Sequence, residues 1–306
     1  MMRPDAKTKQ IFEFCLALAV DKYGVLPIAW CVMSNHYHLV AYDPGGNVPA
    51  FAQYFHRLLA SVFNDRWGRR ENFWSSDPAC ITYLASEADV MEKVIYTLAN
   101  PVKALLVDSI AEWPVSSLDY LDGKTRVIER PDFYFSPKRK VIATHMPLAL
   151  FSPPKEKSFA GWVKRVKERI ATYDEGAAAK RAGKKGDEFR SLGMKKVLAK
   201  RITEKPTRKA PPCKLRPRVG CGNNETRIEL LVEEKNFRWK HRDARKKLED
   251  GEANVVFPPG TYRMKQIAKV RIGKSTPYPK DQLMKHITRI PSEDLSPPEA
   301  PMPRAS

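Results

Sequence analysis

The sequence predicts an α+β fold in which an antiparallel sheet carries helices on one face and a basic, mainly helical region follows. Three observations predict it. Residues 25–33 and 36–42 form two neighbouring stretches rich in Val, Leu, Ile and Tyr, as strands are. Helix-spaced apolar residues flank and follow them. The excess positive charge is confined to the second half. Residues 1–150 hold 16 of the 54 Lys and Arg and 16 of the 35 Asp and Glu, so the net charge of +19 lies wholly in residues 151–306.

Taken in order, residues 6–23 read as an amphipathic core helix, because Ile11, Phe12, Cys15, Leu16, Ala19 and Tyr23 fall at helical spacing. Arg3, Lys7 and Lys9 ahead of Phe14–Val20 mimic a secretory leader, but Glu13 interrupts the apolar run. The strand at 36–42 carries two histidines one residue apart. A strand's period of two sends His36 and His38 to one face and Tyr37 to the other, so one metal ion can take a nitrogen from each histidine. A helix around 49–66 and a short strand near 79–84 come next. Residues 87–106 then read as a helix, opened by the cap Ser86-Glu87-Ala88-Asp89 and buried through Val90, Val94, Ile95 and Leu98. Tyr96 and Asn100 are four apart and share a face, and Pro101 marks an end or kink at Asn100.

Each of these residues has an ordinary reading by itself. An isolated His-x-His is more often coincidence or a hydrogen-bonded core pair than a metal site. A lone helical tyrosine usually packs, and Asn-Pro is a common helix stop. Their joint occurrence points further. The stretches Cys31–Tyr42, Val62–Trp74 and Val94–Val107 together resemble the single-tyrosine HUH transposases, and within them the REP-associated tyrosine transposases of bacteria.

The resemblance covers roughly the first 120 residues. It implies a ferredoxin-like palm, His36 and His38 as ligands of Mg²⁺ or Mn²⁺, Tyr96 as the nucleophile, and Asn100 as a third ligand. The implied activity is DNA transposition: cleavage and rejoining of single-stranded DNA, at a hairpin or palindromic element, through a 5′-phosphotyrosine. The chemistry suits these residue types. Imidazole and amide ligands hold a divalent ion with open positions, and a phosphotyrosine ester conserves the energy of the broken bond for rejoining. Family members carry an Arg- and Phe-rich strand ahead of the first helix, whereas this chain opens with Met1–Asp5 almost at that helix. The expectation is a start further upstream or a decayed copy with an unfilled sheet position, and the alternative function is then an inactive, transposase-derived DNA-binding protein. An RNA-binding sheet is disfavoured, because residues 36–42 carry histidines where an aromatic RNP motif belongs.

The domain reading is 1–120 for the transposase-like unit, 121–157 for a Pro-punctuated connection, 158–272 for the basic helical region and 273–306 for a tail expected to be disordered. Helices are expected over 158–185, 192–202 and 224–252, and a strand and turn over 254–265. The basic region suits the phosphate backbone of DNA, or else is a solvated tail. Phe237 and Trp239 lie among basic residues, either to stack bases or to pack one helix face. The five cysteines at 15, 31, 80, 213 and 221 form no Cys-x-x-Cys pair, which fits a reducing cytosol without disulfides or structural zinc. No stretch is long enough to span a membrane. The expectation is a cytoplasmic, nucleoid-associated monomer or homodimer.

Overall fold

The computed structural model describes residues 2–75, 79–123, 126–136, 143–145, 149–151, 159–182, 186, 190–202, 204, 217–261, 264, 268–273 and 287–289. The chain opens with helix α1 (Ala6–Tyr23), strands β1 (Leu26–Val32) and β2 (Tyr37–Tyr42), helix α2 (Val48–Arg66), strand β3 (Tyr83–Leu84) and helix α3 (Glu87–Lys103). Asp5 caps α1 by accepting from the Thr8 N–H at 2.8 Å and also binds Arg66 at 2.7 Å, tying the start of α1 to the end of α2. Gly24 closes α1 at φ 69°, a left-handed cap that favours glycine.

β1 and β2 pair antiparallel, with Cys31 opposite His38 and Val32 opposite Tyr37. The other edge of β1 is covered by the chain returning after α3. Val32 N–H donates to Val115 O and Ser117 N–H to Trp30 O, both at 2.9 Å. β2 has no strand on its far edge among the described residues.

Helices occupy both faces of this pair rather than one. Phe12 of α1 and Phe55 of α2 pack on Tyr37 with ring centroids 5.4 and 5.6 Å away, while Tyr96 of α3 meets His38 on the opposite face. The reason is in β1, whose residues Leu-Pro-Ile-Ala-Trp-Cys-Val are buried throughout, as expected of a strand covered on two sides. The architecture is mixed helix and strand, and the sheets among the described residues are two-stranded. α3 ends at Lys103, three residues short of the expected 106, and the end or kink expected at Asn100 does not terminate it. Pro101 lies close to the helix end, so its missing N–H removes a single helical bond, and Ala104 N–H still closes on Asn100 O at 2.9 Å.

The connection after α3 holds β4 (Val127–Glu129), β5 (Ala143–His145) and β6 (Ala149–Phe151), and the basic region holds α4 (Phe159–Ala182), α5 (Met194–Ala199), β7 (Val219–Gly220), α6 (Asn224–Glu249), β8 (Val256–Phe257) and β9 (Arg271–Ile272). Within the stretch read as a tail, β10 (Ile287–Arg289) pairs antiparallel with β6. Most of the Pro-rich segment from 206 to 217 lies outside the described residues. α4 packs on α3 through buried Trp162, Val163 and Val166, and Arg169 binds Glu92 at 2.5 Å. β7 pairs parallel with β3, and Gly222 N–H donates to Asp89 at 2.8 Å. The second half is thus attached to the tyrosine helix at two places. Among the described residues, no helix is long and apolar enough to cross a membrane.

α1 is buried more widely than one stripe, because Phe14 meets Phe135 on the side away from α2 and Glu13 is only 6% exposed. Burial pushes Glu13 up to about 7 from an ordinary 4.5, with Lys9 opposing and Asp119 reinforcing. A carboxyl raised by folding stabilises fully below pH 4.5, and that contribution is lost as pH rises to about 7. Glu13→Gln is therefore expected to match wild type near pH 4.5 and to exceed it above pH 8 by about 3 kcal/mol at most. Urea unfolding of both proteins at the two pH values checks this, and a difference that does not change with pH would contradict it.

Candidate active site

Strand β2 begins at Tyr37, so His36 occupies the last position of the preceding turn, not the strand itself. The turn is closed by Met33 N–H donating to His36 O at 2.8 Å. It still delivers His36 to the face of His38: the two Nε2 atoms are 3.1 Å apart. His36 Nδ1 lies 2.7 Å from Asn35 Oδ1. An amide oxygen can only accept, so the ring proton sits on Nδ1 and the Nε2 lone pair turns towards His38.

Tyr37 points the other way, as the strand period requires, and its hydroxyl lies 2.6 Å from His56 Nε2. Trp74 donates from its indole N–H to His56 O at 2.8 Å. This half-buried cluster fastens β2 to α2 and leaves Tyr37 a poor nucleophile, since desolvation raises its hydroxyl far above the ordinary range.

On the histidine face, the Tyr96 ring stands edge-on to His38 with centroids 5.7 Å apart and is 39% exposed. Asn100 is buried one turn on. Its amide nitrogen donates to Tyr96 O at 2.8 Å, and the group lies close enough to His38 to act on its titration. The structure therefore brings His36, His38, Tyr96 and Asn100 into one cluster.

Burial, then the charges of His36, Lys103 and Lys93, lower His38 to about 4, while Asn100 works in the opposite sense. Desolvation of its ring lowers His36 as well. Both imidazoles are neutral at pH 7 and can act as ligands. Two nitrogens bound at right angles to one ion, each at about 2.1 Å, stand about 3.0 Å apart. The observed 3.1 Å is the length of an N–H···N hydrogen bond between the two rings, and the same spacing suits a divalent cation held by both in its place. Among the described residues no group of three or more His, Cys, Asp or Glu side chains could hold a metal.

Three further residues join this cluster that the sequence reading passed over. Lys93 and Lys103 place their ammonium groups 5.0 and 4.5 Å from the Tyr96 ring centroid. They lie three residues before and seven after Tyr96, a helical spacing that could have revealed them. Tyr173 of α4 is close enough that burial, Asp174 and Tyr96 together raise its hydroxyl. Nothing local in the sequence marks Tyr173, because only the packing of α4 on α3 brings it there. β7 passes alongside as well: a Cβ built on Gly220 would come within 3.7 Å of Lys93 Cε and 3.0 Å of Leu84 Cδ2. No protein-family model, curated protein or solved structure matches this chain.

Proposed function

We propose that this chain is a metal-dependent tyrosine nuclease and strand transferase for single-stranded DNA, a DNA transposase of the single-tyrosine HUH kind, with β1, β2 and their helices as the heart of a ferredoxin-like palm. One observation carries the reading. A neutral histidine pair with Nε2 atoms 3.1 Å apart, a half-exposed tyrosine against one of them, and two ammonium groups over that tyrosine meet on one face. A structural histidine pair has no need of the lysines or of an exposed phenol.

In this reading the Tyr96 oxygen attacks the scissile phosphorus. The bond to the 3′ oxygen breaks, leaving a 5′-phosphotyrosine, and the proton lost by the phenol is regained through solvent by the departing 3′ oxygen, which leaves as a free 3′-hydroxyl. His36, His38 and the Asn100 oxygen would hold Mg²⁺ or Mn²⁺, which would supply Lewis acidity towards the phosphate. Asn100 couples ligand to nucleophile, since its amide nitrogen is fixed to the backbone of Tyr96 itself. Lys93 and Lys103 offset the negative charge of phenolate and phosphate. Rejoining is the reverse attack by a 3′-hydroxyl and needs no ATP.

The test is incubation with labelled single-stranded DNA from the flanks of its own gene and Mn²⁺, followed by a denaturing gel. A covalent protein–DNA band is expected, and its absence when binding is intact would reject the nuclease reading. Lys93→Met or Lys103→Met, which keeps the aliphatic stem, is expected to slow single-turnover cleavage by about 10²-fold. Unchanged rates in both variants would show that these are merely solvated charges.

A further inference from the structure

Helix α6 presents two unlike faces. Phe237, His241 and Ala244 pack inward: His241 lies 5.9 Å from Phe237 and 5.4 Å from Phe257 between ring centroids, and Ala244 is buried. Trp239 lies half a turn away from them and is 65% exposed. A tryptophan with that much ring in water is not a packing residue, so the two aromatic residues of this helix divide into one that packs and one that does not.

The same outward face carries Lys235, Arg242 and Lys246, four residues before and three and seven after Trp239, all exposed. Three of the acids on neighbouring faces are engaged: Glu234 with Arg238, Asp243 with Lys247 at 2.7 Å, and Glu249 with Arg245 at 2.8 Å. Among the described residues Lys235, Arg242 and Lys246 have no acidic partner. From residue 235 to 249 the helix holds seven Lys and Arg against two acids. The other end of α6 is anchored beside the tyrosine helix, through the β3–β7 pair and the Gly222–Asp89 hydrogen bond.

We propose that the outward face of α6 is a binding ridge for single-stranded nucleic acid, with Trp239 as the stacking platform and Lys235, Arg242 and Lys246 as phosphate contacts. An exposed ring between unpaired cations is what an unstacked polyanion requires, since every base offers a π-face and every linkage a negative charge. A second copy of this chain fits worse. Two such ridges laid together would set cation against cation around Trp239, a destabilising arrangement. The proposal rests on the DNA reading above and adds to it where the strand is gripped outside the candidate active site.

The test uses the full chain and a fluorescein-labelled oligo(dT), with affinity read by anisotropy over a salt series. Trp239→Ala is expected to weaken binding about 5- to 100-fold, while Trp239→Phe, which keeps a stackable ring, retains most of the affinity. The Lys235→Ala/Arg242→Ala/Lys246→Ala protein is expected to lower the slope of log affinity against log salt by about 2. Equal affinity of wild type and Trp239→Ala would overturn the proposal. So would equal losses in the Ala and Phe variants, or a change of oligomeric state in Trp239→Ala at unchanged affinity, which would assign the face to self-association. The two readings fail separately. Binding that depends on Trp239 without any covalent adduct rejects the nuclease and keeps the ridge, whereas an adduct with unchanged binding by Trp239→Ala does the reverse.

Discussion

Tyr96→Phe protein is expected to lose strand cleavage outright while keeping its fold and its affinity for DNA. The substitution deletes one oxygen. That oxygen belongs to a side chain 39% exposed, so a purely structural Tyr96 would lose about 1 kcal/mol or less. As a nucleophile it would lose the covalent step, which no neighbouring group replaces. Tyr173→Phe is the matched control, because Tyr173 shares the neighbourhood and its hydroxyl is raised by burial, Asp174 and Tyr96. Single-turnover cleavage should vanish in the first variant and persist in the second. Cleavage by Tyr96→Phe at the wild-type rate would reject the assigned role.

His36→Ala and His38→Ala are expected to reduce cleavage by about 10³-fold or more, the loss of several kcal/mol of charge stabilisation. DNA affinity should remain largely intact, because the net +19 lies in residues 151–306 and not at the histidines. Calorimetric titration with Mn²⁺ gives a second readout independent of cleavage, since either variant removes one of two nitrogens now 3.1 Å apart. A variant that binds Mn²⁺ and cleaves like wild type would show that the histidines are only a packed pair.

The geometry of the candidate site was largely legible because it rests on two local periods. The strand period turns His38 away from Tyr37, the short turn before the strand brings His36 to the same face as His38, and the helix period aligns Tyr96 with Asn100 and, had it been extended, with Lys93 and Lys103. The fold was less legible where local pattern and tertiary context differ. The apolar run from Leu26 to Val32 carried the signal for two-sided burial, yet the choice of one covered face came from element order alone. Pro101 reads as an end or kink, but so near a helix end it costs one hydrogen bond while burial of Pro101 and Val102 holds the last turn. The attachment of β7 to β3 and of α4 to α3 joins residues far apart in sequence, and no spacing rule encodes it. Composition alone could not separate Phe237 from Trp239. Only the packing of α6 did so.

The most direct test of the central claim is peptide mapping of the covalent product. Wild-type protein is incubated with single-stranded DNA from its own gene flanks and Mn²⁺, the DNA and protein are digested, and the nucleotide-bearing peptide is sequenced by mass spectrometry. Trypsin separates the tyrosines cleanly, releasing Tyr96 within residues 94–103 and Tyr173 within 170–180. A phosphonucleotide on Tyr96 in peptide 94–103 is the expected result. An adduct on Tyr37, Tyr54 or Tyr173, or cleaved DNA with no modified peptide, would contradict the account.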